Sequence, residues 1–472
     1  MSVTRKVIPL LSVPGGVEPE LHIQARSVRG LFARWRWSLV WLTQLLFYGL
    51  PWLQWDGRQA LLFDLEARRF YMFAAVLFPQ DLIYLTGLLV FSALLLFFAT
   101  AIAGRVWCGF ACPQTVYTEI FMWIEHRFEG DRRARLRLDA AGWGADKLGR
   151  RGGKHLAWLG FSLLTGFSLV GWFTPIRELV AALPALGPWE MFWTLFYGAA
   201  TYLHAGLLRE KVCQHACPYG RFQGSMLDPA TLVVSYDEVR GEPRGARSRG
   251  VDARALSQGD CVDCSLCVQV CPVGIDIRQG LQAACISCGL CIDACNQVMD
   301  KLRAPRGLIR FSALQGHASQ RRAGPAWLRP RVLVYGSLLM LLGAALVWAW
   351  LARPALRMNV LRDRAVLSRR AEDGAVENLY RLQLMNASLQ ARRLSLQAST
   401  TGAEPLALQL AYRGELQVEP AGTSSTVVTL RMAEADAQRL ASGKPLPIRF
   451  ELRDAQGKSV ETVRADSTFM LR

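Results

Sequence analysis

Twelve cysteines lie between positions 108 and 295, and none lies elsewhere in the 472 residues. Eight form two runs, CVDCSLCVQVC at 261–271 and CISCGLCIDAC at 285–295, each spaced Cys-x2-Cys-x2-Cys-x3-Cys. Iron–sulfur clusters are held by soft thiolates, and two runs of this short spacing in tandem mark a module carrying two [4Fe–4S] clusters. In that pattern the fourth cysteine of each run serves the other cluster. Cys261, Cys264, Cys267 and Cys295 are therefore expected on one cluster, and Cys285, Cys288, Cys291 and Cys271 on the other. Pro272 follows the first run; Asn296 takes the equivalent place after the second and suits a turn as well. Zinc would call for paired Cys-x2-Cys knuckles with a longer spacer. The spacing points to electron transfer and is silent on donor and acceptor. The competing reading is clusters that only hold the domain together.

The other four cysteines sit in GRVWCGFACPQ (104–114) and EKVCQHACPYG (210–220), two Cys-x3-Cys-Pro motifs whose cysteines are 105 residues apart. Proline disfavours helix at the residue before it and is welcome at a first helical position. Pro113 and Pro218 are thus expected to start helices, leaving Cys112 and Cys217 at their amino ends. The helix dipole there, with Arg105, Lys211 and Arg221 nearby, is expected to favour thiolate. Four thiolates from Cys108, Cys112, Cys213 and Cys217 suit copper(I), another soft metal or a further iron–sulfur cluster. The bland alternatives are small apolar residues at helix ends or a reducible disulfide. His215 offers a nitrogen ligand or is merely exposed. His204, inside an apolar stretch, is either a haem, quinone or metal contact or an interfacial histidine.

Something must position these motifs. Five stretches without Asp, Glu, Lys or Arg, at 38–55, 82–104, 156–174, 191–208 and 332–352, are 18 to 23 residues long. That length spans a hydrocarbon core of roughly 30 Å as helix. Each Cys-x3-Cys-Pro motif follows the second stretch of a pair, so 38–217 reads as an internal repeat, an arrangement that often builds a shared site. Lys and Arg number six before residue 38, ten in 105–155 and seventeen in 209–331, against three in 56–81 and one in 175–190. Basic loops stay inside. The net charge of +17 is therefore topology, and no nucleic-acid motif competes with that. The first 36 residues show no sustained apolar core of a cleavable signal. All cysteines fall in segments placed in the cytoplasm, the reverse of a disulfide scaffold.

The expected architecture is a multi-domain membrane protein with five spans. It comprises a cytoplasmic arm (1–37), a four-span region with both cysteine motifs (38–217), a linker (218–255) and the two-cluster ferredoxin domain (256–310). A basic linker (311–331), a fifth transmembrane helix (332–352) and an exported domain (358–472) follow. That last segment alternates apolar and polar residues, as in NLYRLQLMN and STVVTLRM, which suits a β-sandwich.

This order of parts resembles the cytochrome c oxidase accessory proteins called CcoG, FixG or RdxA. The resemblance covers nearly the whole chain, including FDLEARRFYMF (63–73) and PQD (79–81). It implies a bacterial inner-membrane cupric reductase that supplies copper(I) for assembly of a cbb-type oxidase, with an immunoglobulin-like periplasmic tail. Cys108, Cys112, Cys213 and Cys217 would then be the catalytic, copper-handling site, and oxidase subunits or their copper chaperones the partners. The cytoplasmic electron donor is not indicated. A membrane quinol dehydrogenase would share the first 300 residues but would need neither the fifth span nor the exported domain. A non-enzymatic assembly scaffold is the third reading.

Overall fold

The computed structural model describes residues 23–248, 256–313, 328–363, 368–388, 390–401, 408–412, 416–440, 445–454 and 463–471. The first part of the amino-terminal arm and most of the basic linker at 311–331 lie outside the described residues. Contacts group the chain into two compact units. One comprises Met1–Leu46, Ala93–Phe167 and Trp189–Ser337; the other comprises Phe47–Ser92, Ser168–Pro188 and Leu338–Arg472.

Two helices, Pro79–Ala103 and Pro330–Leu351, are long and apolar enough to cross a membrane. They expose their large side chains, such as Ile83, Leu89, Met340 and Leu341, as a lipid-facing surface does. Gly87 lets Leu346 approach its backbone, and Tyr84 donates to the Ala349 carbonyl at 3.0 Å. The other three apolar stretches are also helical, with qualifications. The helix Leu31–Gly49 stops before the end expected at residue 55, because Pro51 opens a tight turn that leads into the short strand Gln54–Trp55. The helix Ala145–Val170 carries five charged residues in its first ten, so only its second half is apolar. The helix Pro188–Thr201 passes into a wide π-helical run, Tyr202–Leu208.

In the first unit, the strands Leu232–Tyr236 and Ile309–Ala313 pair antiparallel and bracket the ferredoxin segment. Val234, Ile277, Ile292, Met299, Leu308 and Ile309 share its core with Cys261 and Cys267. The segment 218–255, expected as a linker, is thus partly folded. LVVSY alternates sides, and Val233, Val234 and Tyr236 are buried. Behind the first cysteine motif, the helix Pro113–Glu129 buries Phe121 and Ile124 against Trp158, whose indole donates to the Phe121 carbonyl at 3.1 Å. The buried Glu125 binds Arg135 at 3.1 Å and Arg209 at 3.0 Å, so its charge is compensated.

In the second unit, FDLEARRFYMF forms a hairpin of Leu61–Asp64 with Arg69–Met72, extended by Ala75–Leu77. PQD is the turn that starts the following helix, and its Asp81 binds both Arg353 and Arg357 at 2.6 Å. The carboxyl-terminal domain is two antiparallel sheets. One runs Leu408–Tyr412, Thr423–Met432, Val376–Asn386, Leu356–Arg362; the other runs Leu416–Val418, Arg392–Thr400, Leu446–Asp454, Val463–Phe469. Tyr380, Leu382, Val428, Leu430, Ile448 and Phe450 interleave between them, which is the sandwich that the alternation called for. Phe450→Ala is expected to cost about 3–5 kcal/mol. It should lower the unfolding temperature of this domain in detergent and leave the iron content of the protein unchanged.

Candidate functional site

Both cysteine runs fold into the same turn. Asp263 and Ser287, and then Ser265 and Gly289, take left-handed backbone angles with φ of 50°, 53°, 54° and 74°. Alternating handedness turns successive N–H groups inward, making a concave seat for anionic sulfur. Ser287 N–H points at the Cys285 sulfur at 3.5 Å. The helices Leu266–Gln269 and Leu290–Leu302 then carry Cys267, Cys291 and Cys295, and Cys271 follows the end of the first.

Two cavities result. One is lined by Cys271, Cys285, Cys288 and Cys291 together with Cys267. The other is lined by Cys261, Cys264, Cys267 and Cys295. The structure therefore brings Cys271 beside the second run and Cys295 beside the first, and the donors are all soft sulfur, so the residues present fit cuboidal clusters. Burial pushes the metal-free thiols up, to about 12 at Cys271 and Cys295 and about 11 at Cys267 and Cys285. Loading with metal must displace those protons. Cys264 alone of the eight is exposed.

The second pair of motifs lies against this module. Cys112 and Cys217 cap the helices Pro113–Glu129 and Pro218–Met226, each with proline at the start. Cys112, Cys213 and Cys217 lie close enough to Cys108 to raise its pKa by their charge, and Cys112 and Cys217 act likewise on Cys213. At Cys112 the thiolate expected from the helix dipole does not form in the metal-free protein. Burial holds Cys112 above the usual thiol range against the N–H groups of Gln114 and Thr115, which pull the other way. Burial likewise pushes Cys108 up to about 12 and Cys213 to about 11. The dipole effect is real but smaller than the cost of charging sulfur away from water. Among the described residues, no three His, Cys, Asp or Glu side chains converge closely enough to hold a single ion. His204 and His215 are both exposed; His204 contributes its carbonyl to the Gln114 amide at 2.8 Å.

What joins the two groups of cysteines is a set of contacts that spacing does not announce. Gly109 lies so near the cluster loop that a Cβ there would fall 2.6 Å from the Ile286 carbonyl and 2.9 Å from Cys288 Cα. Cys108 shares an apolar cluster with Ile286, Cys288 and Leu290, and its thiol donates to Gln223 Oε1 at 3.7 Å. Arg105 donates to the Ala283 carbonyl and, at 2.7 Å, to that of Gly220. On the opposite side, Asp293 of the ferredoxin helix accepts the Ala33 N–H at 2.8 Å, closing the start of the helix Leu31–Gly49. Only an unusual glycine beside a cysteine, and an acid inside an apolar ferredoxin helix, hint at any of this in sequence.

Three family descriptions match the chain: a 4Fe-4S binding domain at 85–130, a 4Fe-4S dicluster domain at 208–314, and the IG-like fold at the C-terminal of FixG at 346–472. The nitrogen fixation protein FixG of Rhizobium meliloti is 40% identical over 415 residues, covering 80% of this chain and 79% of that one. Protein RdxA of Cereibacter sphaeroides is 38% identical over 452 residues, 93% of this chain and 95% of its own. A crystal structure of a FixG-related protein from Vibrio parahaemolyticus, 25% identical, covers 25% of this chain and 97% of its own, with a TM-score of 0.20.

Gly109→Ala is expected to displace the Ile286–Cys288 backbone while leaving both cysteine runs intact. Iron content should persist, and amide hydrogen exchange across 283–290 should quicken at least tenfold. Unchanged exchange would sink the claim that this contact holds the two parts together.

Proposed function

The chain belongs to the FixG and RdxA family, and from that premise we propose that it is a membrane-bound iron–sulfur oxidoreductase that reduces copper(II) to copper(I) for assembly of a cbb-type cytochrome c oxidase. Membership supports an iron–sulfur redox protein acting in the membrane. The copper substrate is the finer step. Cys261, Cys264, Cys267 and Cys295 hold one [4Fe–4S] cluster and Cys285, Cys288, Cys291 and Cys271 the other. Bound there, the clusters supply single electrons, the stoichiometry that copper(II) needs to become copper(I).

The observation that carries the reading is the packing of Cys108 and Gly109 onto the Ile286–Cys288 loop. It sets a soft-metal donor set against the wall of a cluster cavity, short of sharing ligands with it. Cys108, Cys112, Cys213 and Cys217 are the copper-handling residues. Thiolate prefers copper(I), so capture at sulfur itself favours reduction, and each thiol that binds gives up its proton. Burial keeps the Cys108, Cys112 and Cys213 thiols protonated until a metal arrives, which protects them from oxidation. The charge distribution supports five spans, with the arm, both cysteine motifs and the ferredoxin domain in the cytoplasm and the β-sandwich in the periplasm. The sandwich is then the surface offered to oxidase subunits or their copper chaperones.

The test is anaerobic. Protein with reduced clusters, freed of excess reductant, is given copper(II) and a copper(I)-specific chromophore. Copper(I) should form in step with reoxidation of the clusters, read as the return of their visible absorbance. A variant with all four membrane-edge cysteines changed to Ser should keep its iron and lose at least nine-tenths of that rate. Clusters that stay reduced in copper(II) yet are oxidised by a quinone would replace this reading with a quinone-linked one.

A further inference from the structure

Arg36 is a charged residue where none is expected. It lies on the helix Leu31–Gly49, is 2% exposed, and pairs through Nη2 with Glu119 at 2.6 Å. Its other terminal nitrogen, Nη1, is buried and has no hydrogen-bond partner among the described residues. A guanidinium carries five donors, and one carboxylate does not satisfy them. Arg36 borders a pocket with Pro272, Val273 and Ile286, the chain neighbours of Cys271 and Cys285, and Val273 and Ile286 also line the cavity assigned to the second cluster.

The other cavity is built differently. Arg278 lines it, but binds Asp276 at 2.7 Å and also Asp263, so two carboxylates offset one cation. Arg105 also acts on Cys285, yet its donors are spent on the carbonyls of Ala283, Cys285 and Gly220. Arg36 therefore combines a single counter-charge with a free donor beside the loops that carry Cys271 and Cys285.

We propose that Arg36 sets the potential of the cluster held by Cys271, Cys285, Cys288 and Cys291, by donating from Nη1 to its sulfur. Hydrogen bonds to sulfur and nearby charge are two of the main determinants of such potentials. Reduction adds one electron and therefore one negative charge, which a fixed cation and donor stabilise. The potential of this cluster rises, and an electron shared within the module is drawn to the side where Gly109 and Cys108 lie. Glu119 moderates the effect by holding half of the guanidinium. The inference rests on the cysteine assignment proposed above, and it is independent of copper as the substrate.

The experiment is a potentiometric titration of the purified full-length protein, followed by electron paramagnetic resonance, with iron and sulfide determined on each sample. Arg36→Gln should lower one midpoint, and Glu119→Gln should raise that same one, each shifting electron partition between the clusters about tenfold, equivalent to 59 mV for one electron. Arg278→Gln should move the other midpoint. Unmoved midpoints, shifts of the same sign in the Arg36 and Glu119 variants, or an Arg278 effect on the same cluster would each overturn the proposal. If Arg36→Gln loses iron, the Glu119→Gln arm decides: an upward shift of one midpoint supports it, and any other result refutes it. Fewer than two clusters in the unaltered protein would instead refute the cysteine assignment on which it rests.

Discussion

The approach of the cluster loop to the first membrane-edge motif is the contact on which the rest of this unit depends. Gly109 permits it, because any side chain would strike the Ile286 carbonyl or the Cys288 backbone. Asp293 and Arg105 hold it from two sides, one by closing a helix end, the other by tying carbonyls of two segments together. These anchors are polar and directional, whereas an apolar contact alone tolerates sliding. Electron transfer needs a fixed short separation, and hydrogen bonds to backbone supply that fixity better than burial does.

The same module shows how two opposing electrostatic effects are ranked. Cys112 has what a reactive thiolate is supposed to need: a helix start and backbone donors aimed at sulfur. It is nonetheless held protonated by burial. A dipole and two partial charges offset only part of the cost of taking an anion out of water. Arg36 meets the same cost and keeps its charge, because it has the full carboxylate of Glu119 in contact. Full counter-charges, and not helix ends, decide which buried groups are ionised here.

Much of this was legible in the sequence because the governing rules are local. The spacing of the eight cysteines fixes which sulfurs can meet, and Pro113 and Pro218 fix where two helices start. Alternation in NLYRLQLMN places Tyr380, Leu382 and Leu384 in one core. Long-range partners were not legible. Nothing near Asp293 says that its carboxylate caps a helix 260 residues earlier in the chain. Nothing near Arg36 says that it lies beside Pro272 and Ile286 of the ferredoxin module rather than lipid headgroups. The strand Leu232–Tyr236 reads as linker in sequence because it is five residues long and its partner, Ile309–Ala313, lies beyond both cysteine runs. The helix end at Gly49 is not legible because an absence of charge marks apolar sequence, and Pro51 can turn the backbone within it.

The two motifs of the repeat share their cysteine spacing and the alanine before the second cysteine, Ala111 and Ala216, and differ at the other two positions between. Gly109 and Phe110 of the first motif correspond to Gln214 and His215 of the second. A glutamine in place of Gly109 could not accept the Ile286–Cys288 loop, so the second motif meets the module differently, with Cys213 lining a pocket beside Pro272, Val273 and Ile286. The second half is correspondingly open: Gln214, His215 and Ala216 are exposed, on a widened π-helical turn that the Cys217 N–H closes onto the Val212 carbonyl at 2.8 Å. Such widened turns recur at functional sites because they free backbone groups and shift side chains off the helical register.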